Sequence, residues 1–126
     1  MTTRFLTLEM VLKLVARQGW RVKDAGLLDS ALKRPQATVF GEDAYRTLGE
    51  KVAAMMSSIA QNQALVDGNK RLALLCAHAF AVINGSEITA PDEDVYQLLE
   101  RQIPGGLSDV GRIAAILSVQ PSQSAP

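Results

Sequence analysis

The stretch QNQALVDGNKR, residues 61–71, concentrates groups that could bind an anion where an apolar helix begins. Its polar members after the leucine are Asp67, Gly68, Asn69, Lys70 and Arg71. The first four backbone N–H groups of a helix have no partner within the helix, and they lie at the positive end of its dipole. A helix that begins at Asp67 or Gly68 therefore offers an anion pocket. Gly68 also carries no Cβ that would hold a phosphate away from the backbone.

The charges around this turn fit phosphate chemistry. Lys70 and Arg71 are cations in the first turn of the predicted helix, where the dipole disfavours them unless an anion binds beside them. Asp67 offers a carboxylate oxygen of the kind that Mg²⁺ prefers when it bridges phosphates for phosphoryl or nucleotidyl transfer. Asn69 can orient either the loop or a ligand oxygen. The alternative is structural, because Asp-Gly is a common turn, Asp67 is a good N-cap and both cations can be merely solvated.

Helices must position this turn. The chain has 126 residues, 48% of them apolar, which suits one domain over residues 1–126 with a core of its own. Apolar residues at helical spacing predict helices from Thr7 to Gly19, over 27–33 and over 48–59. Residues 72–83 are apolar on every face except at one histidine, which predicts a central buried helix.

The remaining segments complete an all-α prediction. A helix begins at Pro91 and ends at Gly105-Gly106, and a last helix runs from Ser108 through Leu117. Residues 36–42 are expected to form a connection without a strand, and the tail over about 119–126 is expected to fray. The expected fold is a compact bundle of about six helices around residues 72–83.

Composition narrows the class of protein. Thirteen basic residues balance thirteen acidic ones, so no overall field attracts nucleic acid or an anionic membrane, and we expect neither as a partner. The single cysteine, Cys76, excludes an intrachain disulfide and is compatible with a reducing compartment. Charged residues interrupt the first twenty positions, and no apolar stretch is long enough to span a bilayer. A cytoplasmic protein is expected.

Three stretches, KDAGLLDSALKRPQ, FGEDAY and LVDGNKRLAL, resemble the Fic/Doc superfamily, and specifically the Doc toxins of Phd–Doc toxin–antitoxin modules. The resemblance extends from about residue 5 to residue 118. It implies a small six-helix bundle, in agreement with the helices predicted from the pattern.

The family motif implies roles for the residues of the turn. Asp67 matches the acidic position that binds the metal, here Mg²⁺ accompanying ATP. Gly68, Asn69 and Lys70 match the turn that cradles the nucleotide phosphates, and Arg71 matches the arginine that binds phosphate.

Two further positions bear on the reaction. Nucleotidyl-transferring Fic enzymes carry Gly where this chain has Lys70, and a second Arg where it has Leu74. The Doc branch carries Asn-Lys-Arg, so the resemblance favours a protein kinase that phosphorylates a threonine of elongation factor Tu and stops translation. A Fic-type adenylyltransferase is the weaker alternative.

The chain departs from the motif at the catalytic position. Gln63 occupies the place of the catalytic His, and Leu65 occupies that of a Phe that anchors the loop. A Gln amide has no basic nitrogen near neutral pH, although it can form hydrogen bonds like an imidazole. General-base catalysis typically contributes about 10²–10⁴-fold, so we expect ATP binding with little or no transfer. Either the chain is a disarmed toxin, which we favour, or it is a naturally inactive paralogue kept for binding.

The other possible base or nucleophile lies elsewhere. His78 lies eleven residues beyond Asp67, about 16 Å along a helix axis, so it cannot reach the same hydroxyl. We expect His78 to pack in the core or between helices, and Cys76 to be a buried apolar residue.

The resemblance also implies a partner, the C-terminal segment of a Phd-like antitoxin, which folds into a groove on the toxin. Trp20, Val39 and Phe40 are candidates for such a groove. Core positions explain all three as well, and we expect them in the core.

Overall fold

The computed structural model describes residues 2–123, and these form six α-helices with four short strands. The helices are α1 (Leu8–Arg17), α2 (Ala25–Lys33), α3 (Leu48–Asn62), α4 (Asn69–Ile83), α5 (Asp92–Gln97) and α6 (Val110–Leu117). The strands are β1 (Thr38–Val39), β2 (Glu42–Asp43), β3 (Ser86–Ile88) and β4 (Val119–Pro121). A 3₁₀ turn at Arg34–Gln36 follows α2, and a π-helical turn at Leu98–Gln102 follows α5. The predicted six-helix bundle is confirmed.

Side-chain caps define four of the helix starts. Each capping oxygen accepts a hydrogen bond from the amide three residues further on, and the caps are Thr7, Asp24, Thr47 and Asp109. Such a cap satisfies one of the N–H groups that a helix start leaves without a partner. Asp24 explains why α2 begins at Ala25, two residues before the predicted start.

The most enclosed helix is α3. It packs against α2, α4 and α6, and its residues from Lys51 to Ser57 are all buried. Helix α4, which was predicted to be central, is buried on only one face. Ala73, Cys76 and Ala77 are buried, whereas His78 is exposed. The expectation that His78 packs in the core or between helices was therefore wrong, because an all-apolar run does not reveal which face its neighbours cover.

Cys76 is fully buried on α4, as predicted. Burial raises the pKa of its thiol to about 12, so the nucleophilic thiolate is scarce at neutral pH. Across residues 2–123, no helix combines the length and the apolarity that crossing a membrane requires.

A β-hairpin occupies the connection for which no strand was predicted. Val39 pairs with Glu42, and the two residues between them, Phe40 and Gly41, have φ values of 52° and 81°. A two-residue loop with both φ values positive suits the twist of a hairpin. Val39 is 55% exposed and Phe40 is 102% exposed, so the expectation of buried positions was wrong for both. Trp20 is half-buried against the core.

The second strand pair joins the end of α4 to the end of the chain. Strand β3 pairs with β4 in antiparallel fashion, with Ile88 opposite Val119. Residues 119–121, predicted to fray, are therefore held by a strand that follows α4 directly. The last three positions of that predicted tail, 124–126, lie outside the described residues.

Candidate phosphate-binding site

The loop between α3 and α4 is fixed to the segment between α1 and α2. The amide of Val66 donates to the carbonyl of Arg21 at 2.9 Å, and the amides of Lys23 and Asp24 donate to the carbonyl of Ala64 at 2.8 and 3.0 Å. Leu65, at the place of the family's Phe, is fully buried in the core. Backbone hydrogen bonds and one buried anchor thus hold the loop in one position.

The side chain of Asn69, the first residue of α4, forms hydrogen bonds with the loop that precedes the helix. Its side chain is buried; Oδ1 accepts from the amide of Leu65 at 2.9 Å and Nδ2 donates to the carbonyl of Leu65 at 3.1 Å. The same Nδ2 donates to Oε1 of Gln63 at 3.3 Å. The sequence allowed Asn69 to orient either the loop or a ligand oxygen. In the structure its side chain orients the loop.

Gly68 meets a steric requirement that the sequence alone does not reveal. Its φ is +90°, in the left-handed region that favours glycine. A Cβ at this position would lie 3.1 Å from the Cδ2 and Cε2 atoms of Trp20. The indole therefore packs directly against the turn, and both the backbone conformation and this close contact favour glycine.

The first turn of α4 contains backbone amides that have no acceptor inside the helix. The amide of Leu72 donates to the carbonyl of Gly68 at 2.8 Å and begins the helical pattern. The amides of residues 69–71 precede it, where a helix offers no internal acceptor. Asp67 is exposed, and its Oδ1 accepts from the amide of Gly68 at 2.8 Å. The arrangement can hold an anion at the amides with a carboxylate beside it.

All six predicted site residues line one cavity of about 310 Å³. They are Gln63, Asp67, Gly68, Asn69, Lys70 and Arg71, and they are joined by Val66 and Glu100. Glu100 comes from the π-helical turn after α5 and was missed in the sequence, where nothing distinguishes it from a solvated surface charge. We call this space the phosphate cavity.

Glu100 forms an ion pair with Lys70. The Nζ and Oε2 atoms lie 3.2 Å apart, and the two side chains are 41% and 40% exposed. A pair this exposed contributes little to stability. It does, however, direct the Lys70 cation toward α5, so an anion in the phosphate cavity competes with Glu100 for that cation.

Gln63 ends α3 in the left-handed conformation, with φ 56° and ψ 42°. Its Nε2 donates to the carbonyl of Ala60 at 3.3 Å, and its Oε1 faces Asn69. The amide is exposed at the cavity, where it can form hydrogen bonds but cannot take a proton near neutral pH. His78 does not line this cavity; it lines a second one, between α4 and α5.

The donor set fits Mg²⁺ that is bound together with a polyphosphate. Within residues 2–123, no cluster of three His, Cys, Asp or Glu side chains could hold a metal by itself. Mg²⁺ usually takes one or two carboxylates and fills its remaining positions with phosphate oxygens and water. Asp67 supplies such a carboxylate beside the amides of α4.

Comparison with known proteins identifies the family of the chain. Residues 5–81 match the model of the Fic/DOC family, a span that includes the phosphate cavity apart from Glu100. The chain belongs to the Fic/DOC family, and the resemblance inferred from the motif is confirmed.

Within the family, the chain is similar to a relative named Toxin Doc from Mycolicibacterium smegmatis. The two are 48% identical over 99 residues, which cover 78% of this chain and 76% of the relative.

Proposed function

We propose that the chain is a Doc-type toxin of a toxin–antitoxin module, built to transfer the γ-phosphate of ATP to a threonine of elongation factor Tu. The observation that carries the proposal is the phosphate cavity, in which all the residues implied by the motif meet at the start of α4. The similarity to Toxin Doc supports the toxin class.

Each residue of the cavity has a role in this proposal. Arg71 and the free amides of α4 bind phosphate oxygens. Lys70 adds a second cation once phosphate draws it from Glu100. Asp67 would hold the Mg²⁺ that accompanies ATP, which would supply positive charge beside the phosphates. Asn69 and Gly68 keep the loop in the geometry that these contacts need.

Transfer of a phosphate, rather than a nucleotide, is supported by Lys70 and Leu74. Lys70 stands where adenylyl-transferring relatives have Gly, and the sequence Asn-Lys-Arg resembles the Doc branch. Leu74 puts an apolar side chain where those relatives have a second phosphate-binding Arg. A Fic-type adenylyltransferase is therefore the weaker candidate.

Gln63 places an amide, which takes no proton near neutral pH, where the family's His accepts the proton of the attacking threonine hydroxyl. Positioning and charge stabilisation persist, but the general-base contribution is lost. We therefore propose that this form binds ATP and transfers phosphate slowly or not measurably, as expected for a disarmed toxin.

A second candidate function follows from the same residue. A Doc-like protein without its base can still bind the C-terminal segment of a Phd-like antitoxin, and so tune repression of the operon. The exposed amide of Gln63, beside an otherwise complete cavity, is the observation that favours it.

The test restores the base with Gln63→His and measures label transfer to elongation factor Tu from γ-labelled and α-labelled ATP. We expect γ-label transfer to rise about 10²–10⁴-fold over the unmodified chain. Gln61→His is the matched control, because Gln61 is exposed on α3 two residues earlier and does not line the cavity.

Each other outcome selects an alternative. Transfer of α-label indicates an adenylyltransferase. No transfer of either label, together with tight antitoxin binding, indicates the inactive binding module. Equal γ-label transfer with and without the histidine refutes the role assigned to position 63.

A further inference from the structure

The C-terminal half of α1 and the segment after it carry an excess of positive charge. Residues 10–23 contain four basic side chains and no acidic one, although the chain as a whole has no net charge. Lys13 pairs with Glu9 inside α1. The other three, Arg17, Arg21 and Lys23, are exposed, and within residues 2–123 they form no ion pair. These three cations are therefore available to a partner.

Backbone pairing places two of these cations beside the α3–α4 loop. An antiparallel bridge joins Val22 to Leu65, so Arg21 lies opposite Val66. The amide of Val66 donates to the carbonyl of Arg21 at 2.9 Å. On the other side of the bridge, the amide of Lys23 donates at 2.8 Å to the carbonyl of the residue before Leu65. Hydrogen bonds thus fix both cationic residues against the loop.

The side chains of Arg21 and Lys23 share the outer face of this pairing. Successive side chains of a paired segment point to opposite faces. Val22 and Leu65 lie against the core, and Val66 is 65% exposed. Arg21, Lys23 and Val66 therefore face outward, and we call these three residues the basic edge. Val66 lines the phosphate cavity, whereas the two cations lie outside it.

The border of the phosphate cavity toward α5 carries negative charge. Glu100 lines the cavity, and Asp92 lines the neighbouring cavity between α4 and α5. Glu93 and Asp94 follow in the first turn of α5, and both are exposed. A large ligand that approaches Gln63 therefore meets cations on the side of the basic edge and carboxylates on the side of α5.

We propose that the basic edge binds an acidic surface of the protein acceptor and turns the acceptor hydroxyl toward the phosphate cavity. The inference rests on the proposed function and adds a docking surface outside the cavity. Arg21 and Lys23 attract acidic side chains of the acceptor, and Val66 offers an apolar contact between them and the cavity. The carboxylates of α5 repel the same acidic surface, so the opposite charges favour one orientation of the acceptor.

The experiment reverses one charge of the basic edge at a time. Binding of elongation factor Tu to the unmodified chain, Arg21→Glu and Lys23→Glu is measured by surface plasmon resonance at low and at high salt. Each variant should bind about three- to tenfold more weakly at low salt, and the difference should shrink at high salt. Tripolyphosphate affinity with Mg²⁺, measured by calorimetry, should change by less than about twofold, because both cations lie outside the cavity.

A kinetic measurement separates docking from chemistry. In a chain that also carries Gln63→His, Arg21→Glu or Lys23→Glu should raise KM for elongation factor Tu by a similar factor and leave kcat unchanged. Such a split is expected when a contact is equally strong in the bound acceptor and in the transition state.

Matched controls keep the charge or change it elsewhere. Lys23→Arg retains the cation and should bind elongation factor Tu as the unmodified chain does. Arg4→Glu makes the same change in net charge at the opposite end of α4, where the backbone of Arg4 is bonded to the side chain of Asn84. It should leave binding unchanged. Thermal melting of every variant shows whether the folded state is retained.

The outcomes separate this inference from the proposed function. Unchanged binding of elongation factor Tu by Arg21→Glu and Lys23→Glu, or an equal loss in Arg4→Glu, overturns the docking surface and leaves the proposed function standing. A loss of antitoxin binding without a loss of acceptor binding also overturns it, because the surface then belongs to the antitoxin. If the unmodified chain binds tripolyphosphate but not elongation factor Tu, the proposed acceptor is wrong and the docking surface falls with it.

Discussion

The α3–α4 loop and the β1–β2 hairpin share a backbone feature but differ in the burial of their side chains. Each contains a glycine and one other residue at positive φ: Gln63 with Gly68 in the loop, and Phe40 with Gly41 in the hairpin. Leu65 of the loop and the adjoining Asn69 are buried, whereas Phe40 at the hairpin tip is fully exposed. Similar backbone conformations thus occur with buried side chains in the loop and with an exposed side chain in the hairpin.

The difference shows what distinguishes a binding turn from an exposed one. Positive φ values occur in both and so do not mark function. In the loop, the buried side chain of Asn69 pairs with the amide and carbonyl of Leu65, and residues 67–71 line a cavity. The burial of Leu65 and Asn69, rather than the positive φ values, is what distinguishes this turn from the exposed hairpin tip.

The largest predicted contrast concerns the two apolar side chains. Leu65→Ala should lower the free energy of unfolding by about 2–5 kcal/mol, because a fully buried side chain leaves a cavity in the core. Phe40→Ala should change it by less than about 0.5 kcal/mol, because its ring is exposed. Urea denaturation measures both. Comparable losses in the two variants would mean that the hairpin packs on the domain in solution.

A smaller contrast concerns two asparagines. Asn69→Ala should cost about 1–3 kcal/mol, since it leaves the amide and carbonyl of Leu65 buried without their partner. Asn62→Ala, which removes one exposed contact to the carbonyl of Leu27 at 3.3 Å, should cost less than about 1 kcal/mol. Hydrogen exchange at the Leu65 amide should accelerate only in the first variant. Unchanged protection there refutes the role of Asn69.

The two glycines allow a finer comparison. Gly68→Ala and Gly41→Ala both place a Cβ on a left-handed residue, at a cost of roughly 1–2 kcal/mol each. At residue 68 the Cβ also meets Trp20, whereas at residue 41 it meets no described atom within 4 Å. Gly68→Ala should therefore cost about 1 kcal/mol more in thermal or urea unfolding. Equal costs would show that the indole moves aside freely.

The smallest predicted effect concerns two ion pairs with the same 3.2 Å separation. Glu100→Gln frees Lys70 and should strengthen tripolyphosphate binding about two- to fivefold at low salt, with little change at high salt. Glu42→Gln removes the hairpin pair with Arg46 and should leave binding unchanged. Calorimetry at two salt concentrations measures both. An equal gain from Glu42→Gln would indicate a general effect of net charge.

The sequence predicts the bundle and the grouping of the site residues because both depend on residues that are close together along the chain. Caps and apolar spacing locate the helices, and five of the six predicted site residues are consecutive at one helix start, so they meet wherever that helix lies. Gln63 joins them because it lies only four residues before Asp67, in the short loop between α3 and α4.

The sequence does not predict features that depend on which neighbours pack where. The hairpin tip, Phe40-Gly41, lacks the usual Asn-Gly or Asp-Gly signal. Glu100 reaches the cavity from 30 residues away, through a π-helical turn with no recognisable signature. The exposure of His78 depends on which face of α4 the other helices leave uncovered.

Trp20 gives the phosphate cavity a spectroscopic label of its own. It is the single tryptophan of the chain, and its indole packs against the turn at Gly68. Indole emission shifts with local polarity and with nearby charge, so a polyphosphate that settles on this turn should alter the fluorescence of the unmodified protein. Ligand occupancy can then be followed by titration in solution without attaching a dye.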